Sequence, residues 1–336
     1  MAKDFENWGF KLFQPGSEMG SWQVRKIPGA GRITPATGGF LIANSGTTHA
    51  IQADFTRTRK TTGTLTFLDG GSGLPRWTAQ WEDRSVESPV QLGDRVYVYT
   101  REFKVGTFCL GLDPSGKVVQ RFALPFDWNV SAGTIAHGRE LFFHGLSSSG
   151  GFVVAYDPAT GQETWRENVG FGSPVTEVSG SMAVLHSPYN QGAFAVVDLA
   201  SHRVLKKGTI QGLVERGMAV VGEAAYFWGK KVDGRVGYLQ CLDLKTLKVR
   251  WERTFDVETG VTAGLLHQGG RLWALVQGPQ GATRMHSLDP ASGATLREVP
   301  LEARLDLEAN TRTVAFQNLM LVDTKGGRVL GFPLPL

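Results

Sequence analysis

A ten-residue segment, LDGGSGLPRW at residues 68–77, recurs along the chain as LDPSGKVVQR from Leu112, YDPATGQETW from Tyr156, VDLASHRVL from Val197, LDLKTLKVRW from Leu242 and LDPASGATLR from Leu288. Its acidic anchors Asp69, Asp113, Asp157, Asp198, Asp243 and Asp289 stand 44, 44, 41, 45 and 46 residues apart. A near-constant period of this length restricts the fold to an array of one supersecondary unit, because a single unit cannot bury its own apolar face.

The unit is legible from its turn. Each anchor follows a short apolar run such as FVVAY and precedes another such as ETWRENVG, the pattern of two antiparallel strands joined by a tight turn. Asp bonds backbone N–H groups further along the turn, Pro sets the next φ, and Gly after Ser or Thr supplies the left-handed position. Between one hairpin and the next lie two further strand-like runs, for example SPVQLG then DRVYVYT and GTIAHG then ELFFHG. Four strands per period predict an all-β, seven-bladed β-propeller of four-stranded antiparallel blades, spanning residues 1–336 as one domain. The count of seven comes from two degenerate copies, at Gln14 and Pro333, which bound seven intervals. On this reading the SWQVRKI run is the outer strand of the blade completed by the C-terminal strands, closing the ring, with GFKLF at 9–13 competing with RVLGF at 328–332 for one place.

Composition narrows the function classes. With 41% hydrophobic and 20% charged residues the chain carries a large core, and its 43 glycines, lacking a collagen period, belong to turns. Only Cys109 and Cys241 are cysteines, both in strand-like runs three repeats apart, so they read as reduced core residues. A net charge of +4 is below what a dedicated nucleic-acid binder concentrates on one face, and nucleic acid is not expected as a partner. No run approaches the length of a membrane span and no export signal follows the N-terminus, so membrane insertion is not expected. The chain reads as cytoplasmic, or as extracytoplasmic if a signal peptide has been removed.

The repeat, YDPATGQETW above all, resembles the PQQ-like repeat of quinoprotein dehydrogenases and of the propeller lipoprotein of bacterial outer-membrane assembly. The likeness runs over nearly the whole chain, with Asp, Ser/Thr-Gly and Trp together at Asp69 to Trp77 and at Asp157 to Trp165. Elsewhere it decays: Trp251 lacks the glycine, and the copies at Asp198 and Asp289 lack the tryptophan. The resemblance implies a propeller and leaves the activity open, since the family holds enzymes and assembly scaffolds. Its enzymatic members use adjacent cysteines, which are missing here.

No catalytic, metal or cofactor residues are nominated. The anchoring aspartates recur at one turn and read as structural. Trp22, Trp77, Trp165 and Trp251 share a repeat position and read as packing between blades, with Trp273 in the core and Trp8, Trp81, Trp128 and Trp228 left as possible exposed anchors. The seven histidines show no ligand spacing; His144 and His186, at equivalent strand ends, read as a pair of turn residues.

Loops carry the functional expectation. Residues 46–64 form the longest connection and hold Arg57, Arg59 and Lys60; equivalent connections add Arg101 and Lys104, then Lys230, Lys231 and Arg235, then Lys325 and Arg328. Connections between blades are acidic, with Glu82, Asp83, Glu87, Asp127, Asp256, Glu258, Glu302, Asp306 and Glu308. A basic outer arc around an acidic centre is expected, and it predicts a non-enzymatic scaffold that docks a protein partner through Arg57, Arg59, Lys60, Arg101, Lys104, Lys230 and Lys231. The alternative is a degenerate quinoprotein-like enzyme that binds a ligand or Ca²⁺ in the central channel, and polyanion binding ranks third.

Overall fold

The computed structural model describes residues 22–24, 32–51, 57–72, 74–127, 133–172, 175–187, 192–210, 217–230, 236–256, 262–277, 283–301, 313–316, 319–324 and 328–334. The run GFKLF and the residues Trp8, Trp128, Lys231, Arg235 and Lys325 lie outside them.

β1 (Trp22–Val24) is followed by six sheets formed in chain order. They are β2 (Arg32–Ala36), β3 (Gly39–Ile51), β4 (Arg57–Asp69) and β5 (Pro75–Glu82); β6 (Arg84–Leu92), β7 (Arg95–Glu102), β8 (Gly106–Leu112) and β9 (Val118–Leu124); and β10 (Gly133–His137), β11 (Glu140–Ser147), β12 (Gly150–Asp157) and β13 (Gln162–Asn168). Next come β14 (Val175–Ser179), β15 (Met182–Ser187), β16 (Ala193–Asp198) and β17 (Arg203–Thr209); β18 (Gly217–Val221), β19 (Ala224–Lys230), β20 (Val236–Asp243) and β21 (Val249–Asp256); and β22 (Thr262–Gln268), β23 (Arg271–Gln277), β24 (Thr283–Leu288) and β25 (Thr295–Leu301). The seventh sheet has the order β1-β28-β27-β26, from β26 (Thr313–Phe316), β27 (Leu319–Thr324) and β28 (Arg328–Pro333). Seven four-stranded antiparallel sheets make this a seven-bladed β-propeller, with the N-terminal strand β1 paired to β28 through Trp22↔Gly331 and Val24↔Val329.

The sheets divide between two compact units, residues 1–166 with 326–332 and residues 167–325 with 333–336. The middle strands are buried along nearly their whole length and read as near-continuous apolar runs: β12 is buried from Gly151 to Tyr156. Outer strands are covered on one face and alternate, as β5 does along its whole length. In the first unit Leu41, Leu65, Val86, Val98 and Leu110 fill the space between the first two sheets, and Tyr99, Phe126, Phe143 and Phe152 that between the second and third. In the second unit Phe194, Met218 and Phe227 form one core layer and Trp228, Leu239, Cys241 and Leu272 another.

The repeated turn is the device that joins blades. Asp69 Oδ1 accepts from the N–H groups of Gly71 and Ser72, Asp243 Oδ1 from Lys245 and Thr246, and Asp113, Asp157, Asp198 and Asp289 accept from the residue two positions on. The left-handed position is Gly161 (φ +70°) or Gly293 (φ +69°), and in the copies without glycine Leu247 (φ +53°) and His202 (φ +54°) hold the same conformation. A register shift one step before the anchor recurs at Phe67/Leu68, Gly111/Leu112, Val196/Val197, Cys241/Leu242 and Ser287/Leu288, bending the outer strand toward the neighbouring blade.

The aromatic on that outer strand then lies on the next turn. A Cβ added at Gly116 would stand 2.7 Å from the Trp77 ring and one at Gly293 2.4 Å from Trp251, so only glycine admits the indole there. Trp251 Nε1 also donates to the Pro290 carbonyl at 3.2 Å. The expected packing role of Trp77 and Trp251 is therefore met, and Trp273 is fully buried as expected. Trp228, left open as an exposed anchor, is fully buried instead, because the middle strand β19 is covered on both faces.

Candidate functional site

In each antiparallel sheet the connection from second to third strand and the exit of the fourth strand lie at the same end. In the first unit this end carries most of the charged residues that the sequence nominated.

β3 and β4 are 13 residues each, against seven or eight in the strands that flank the same connection in the second and third sheets. Their register continues past β5, which ends with Glu82 opposite Thr62, through Thr47↔Thr61, Thr48↔Lys60, His49↔Arg59 and Ile51↔Arg57. Residues 46–64 are thus not a long loop: apart from 52–56, which lie outside the described residues, they are a two-stranded ribbon. Threonines at 47, 48, 58, 61, 62 and 64 favour the extended backbone, which carries the hairpin beyond the sheet. In the backbone register Arg57, Arg59 and Lys60 stand opposite Ile51, His49 and Thr48. The side chains of Arg57, Arg59 and Lys60 lie outside the described residues.

The ribbon is anchored on β6. Ser45 Oγ accepts from the Val86 N–H at 2.8 Å and donates to the Val86 carbonyl at 3.2 Å. A Cβ on Gly63 would meet the Arg84 carbonyl at 2.7 Å, so β4 approaches β6 as closely as backbone allows.

The second sheet ends in a network of ion pairs. Glu102 accepts from Arg84 Nε at 3.0 Å and from Arg121 at 3.1 Å. Arg101 donates from Nε to Ser85 Oγ at 3.1 Å and pairs through its terminal nitrogen with Glu87. The Arg121 guanidinium carbon lies over Phe108, 3.8 Å from the ring centre, a cation–π contact. In each pair the carboxylate is the shielded partner: side chains of Glu87 and Glu102 are 13% and 14% exposed, against 24% for Arg101, 26% for Arg84 and 45% for Arg121.

This corrects the expected separation of charges. Glu87, assigned to an acidic centre, is the partner of Arg101, assigned to the basic arc, because β6 and β7 place Glu87 opposite Tyr99 and Ser85 opposite Arg101. Lys104 is exposed at the β7–β8 tip, with φ +57° and its Nζ 5.4 Å from the centre of the Phe103 ring. Lys230 ends β19 in the second unit, paired with Gly237 in the backbone, and its side chain is outside the described residues. Arg101 and Lys104 are thus brought onto one hairpin.

Sequence reasoning missed the apolar part of this tip. Phe103 and Val105 are 44% and 68% exposed on either side of Lys104. The signal was present, since REFKVG puts two large apolar residues where a hairpin turn normally carries polar ones.

Histidines lie elsewhere than expected. His144 and His186 are buried within β11 and β15 rather than in turns, because the covered middle strands extend through them. His186 packs 5.6 Å from Phe227, centre to centre, with neither ring nitrogen hydrogen-bonded, and burial pushes its pKa down to about 4. At the anchoring turns, backbone N–H groups, that of Ser72 foremost, and then Arg76 hold Asp69 well below the usual carboxylate range. Asp243 is held low in the same way by the Thr246 N–H and Arg250. Such shifts are what a structural turn carboxylate shows. Among the described residues no three His, Cys, Asp or Glu side chains are grouped to hold a metal ion, and no helix is long and apolar enough to cross a membrane. Cys109 and Cys241 are buried free thiols.

The sequence matches the profile of the family described as outer membrane protein assembly factor BamB over residues 8–253 and 149–332. No curated protein sequence matches it. Among solved structures it is similar to a chain of the mitotic checkpoint complex, at TM-score 0.61 and 10% identity over 96% of this chain and 95% of that one. It is also similar to virginiamycin B lyase from Staphylococcus aureus, at TM-score 0.59 and 13% identity over 94% and 100% of the two chains. U3-55K is matched at TM-score 0.56 and 11% identity over 92% and 100%. A lyase stands among these neighbours beside a chain from a complex, so the likeness speaks for the fold alone.

Proposed function

The chain belongs to the PQQ-like propeller family described as outer membrane protein assembly factor BamB, and from that premise we propose that it is a non-enzymatic scaffold whose loop end in the first unit docks a protein partner. The observation that carries this reading is the β3–β4 ribbon. It continues a regular hairpin past the edge of its sheet, is pinned at its base by Ser45 and Gly63, and holds Arg57, Arg59 and Lys60 in its second strand, β4. An arm that carries cations speeds and orients encounter with an acidic partner surface.

Reversing the charge with Arg57→Glu, Arg59→Glu and Lys60→Glu in one chain should abolish recovery of the partner that co-purifies with the wild type, identified by mass spectrometry. Unchanged recovery of that same partner overturns the assignment. A cytoplasmic location accords with two free thiols and no disulfide among the described residues, and cell fractionation tests it: recovery with the envelope would place the scaffold outside the cytoplasm.

A further inference from the structure

β4 is bordered by β3 on one side and by β5 on the other, and the two borders differ in length. β3 pairs with all of β4, from Ile51 opposite Arg57 to Gly39 opposite Asp69, whereas β5 stops with Glu82 opposite Thr62, and Asp83 then leads the chain into β6. From Arg57 to Thr61 the side of β4 turned away from β3 has no strand beside it among the described residues. Every second residue of this stretch, roughly 17 Å long at about 3.4 Å per residue, turns its N–H and C=O toward that open edge. The register there is unbroken and the stretch contains no proline, so neither a bulge nor a missing donor closes the edge. The other edge of the ribbon differs: β2 ends opposite Ala43, and just beyond it Ser45 is bonded to Val86 of β6.

We propose that the open edge of β4 at Arg57–Thr61 receives an extended, acidic segment of a protein partner as an added strand. The inference rests on the scaffold reading and supplies the mode of docking and the chemistry of the partner. In strand addition the main-chain hydrogen bonds give affinity, and the residues that come to stand directly opposite, about 5 Å apart, give selectivity. The residues offered here are Arg57, Arg59 and Lys60, and neither 44–51 nor 57–64 contains an acidic residue. Glu82 and Asp83 stand at the β5 end of the edge, so the partner's acids belong opposite Arg57 to Lys60 and away from Thr61. The same cations turn away a second copy of this chain. A two-fold pairing of 57–61 with itself sets Arg59 opposite Arg59, and like charges directly opposite destabilise a strand pair. A nucleic-acid backbone fits no better, because the edge offers carbonyl acceptors as well as N–H donors and phosphate only accepts. A polypeptide strand matches both.

The test uses the full chain and fluorescence anisotropy with a labelled peptide of alternating Thr and Glu. Two companion peptides are N-methylated at every second residue, one at the Thr and one at the Glu positions. The plain peptide should bind, more weakly as salt is raised. One N-methylated peptide should lose roughly tenfold in affinity and the other keep most of it, because the amides of only one alternation face β4. A peptide with Lys in place of Glu should bind only the chain carrying Arg57→Glu, Arg59→Glu and Lys60→Glu, an exchange of preference that a misfolded variant cannot show. Amide hydrogen exchange over residues 57–61 should slow when the plain peptide binds. No binding to the wild type, equal binding of both N-methylated peptides, unchanged exchange over 57–61, tighter binding of a DNA duplex than of the peptide, or a dimer of the free chain that the peptide dissociates would each overturn the proposal. If charge reversal abolishes partner recovery while both N-methylated peptides bind as the plain one does, the scaffold reading stands and strand addition falls.

Discussion

Trp251 packs tightly against Gly293 on the neighbouring blade, and this contact makes a quantitative prediction. Gly293 has φ +69°, and an added Cβ would lie 2.4 Å from the Trp251 ring, inside any real carbon–carbon contact. Gly222, in the same unit, has φ +56° with nothing within 4 Å of that Cβ. Gly222→Ala therefore measures backbone strain alone, about 1 kcal/mol once the lost freedom of the unfolded chain is set against it. Gly293→Ala adds overpacking of a rigid ring, which brings the cost to about 2–4 kcal/mol. Equilibrium urea unfolding followed by tryptophan fluorescence and by circular dichroism reads both. Trp251→Leu should cost stability itself, yet in that background Gly293→Ala should cost no more than Gly222→Ala, a coupling of about 1–3 kcal/mol. Equal costs for the two glycines, or no coupling to Trp251, would refute the view that the ring is locked onto the neighbouring turn.

Two further outcomes follow from buried groups. His186 is neutral in the fold, with its pKa lowered to about 4, whereas the unfolded chain protonates near 6.5, so stability is lost as pH falls from about 6.5 and the loss levels off near 4. Unfolding at pH 7.5 and pH 5 should differ by roughly 2 kcal/mol more in the wild type than in His186→Leu, and parallel profiles would mean that His186 carries none of this dependence. Burial raises both the Cys109 and Cys241 thiols, so neither should react with a thiol reagent until the chain unfolds, and labelling in native buffer would show that their strands open locally.

Most of the fold was legible because a propeller repeats its chemistry in sequence. The Asp turn announces a hairpin by local hydrogen bonding, and each copy did so at Asp69, Asp113, Asp157, Asp198, Asp243 and Asp289, so counting intervals located seven sheets and the pairing of β1 with β28. Copies without glycine were also readable at the anchor, and only the backbone showed Leu247 and His202 taking the left-handed place. The site was legible in part. Glu87, Arg101 and Lys104 were visible, and the pairing of Arg101 with Glu87 was not, because the β6–β7 register carries a shift between Glu87 and Val90 that sets which residues stand opposite.

By itself the chain's periodicity determined strand order, turn positions and which aromatics face a neighbouring blade, since these follow from hydrogen bonds and alternation within a few residues. Only the tertiary structure decided that residues 46–51 and 57–64 are strand rather than loop, that His144, His186 and Trp228 are buried, and that the second blade turns its arginines outward over shielded glutamates. Each of these depends on what covers a strand from the next sheet, and a covering surface from a distant part of the chain leaves no local trace in the residues it covers.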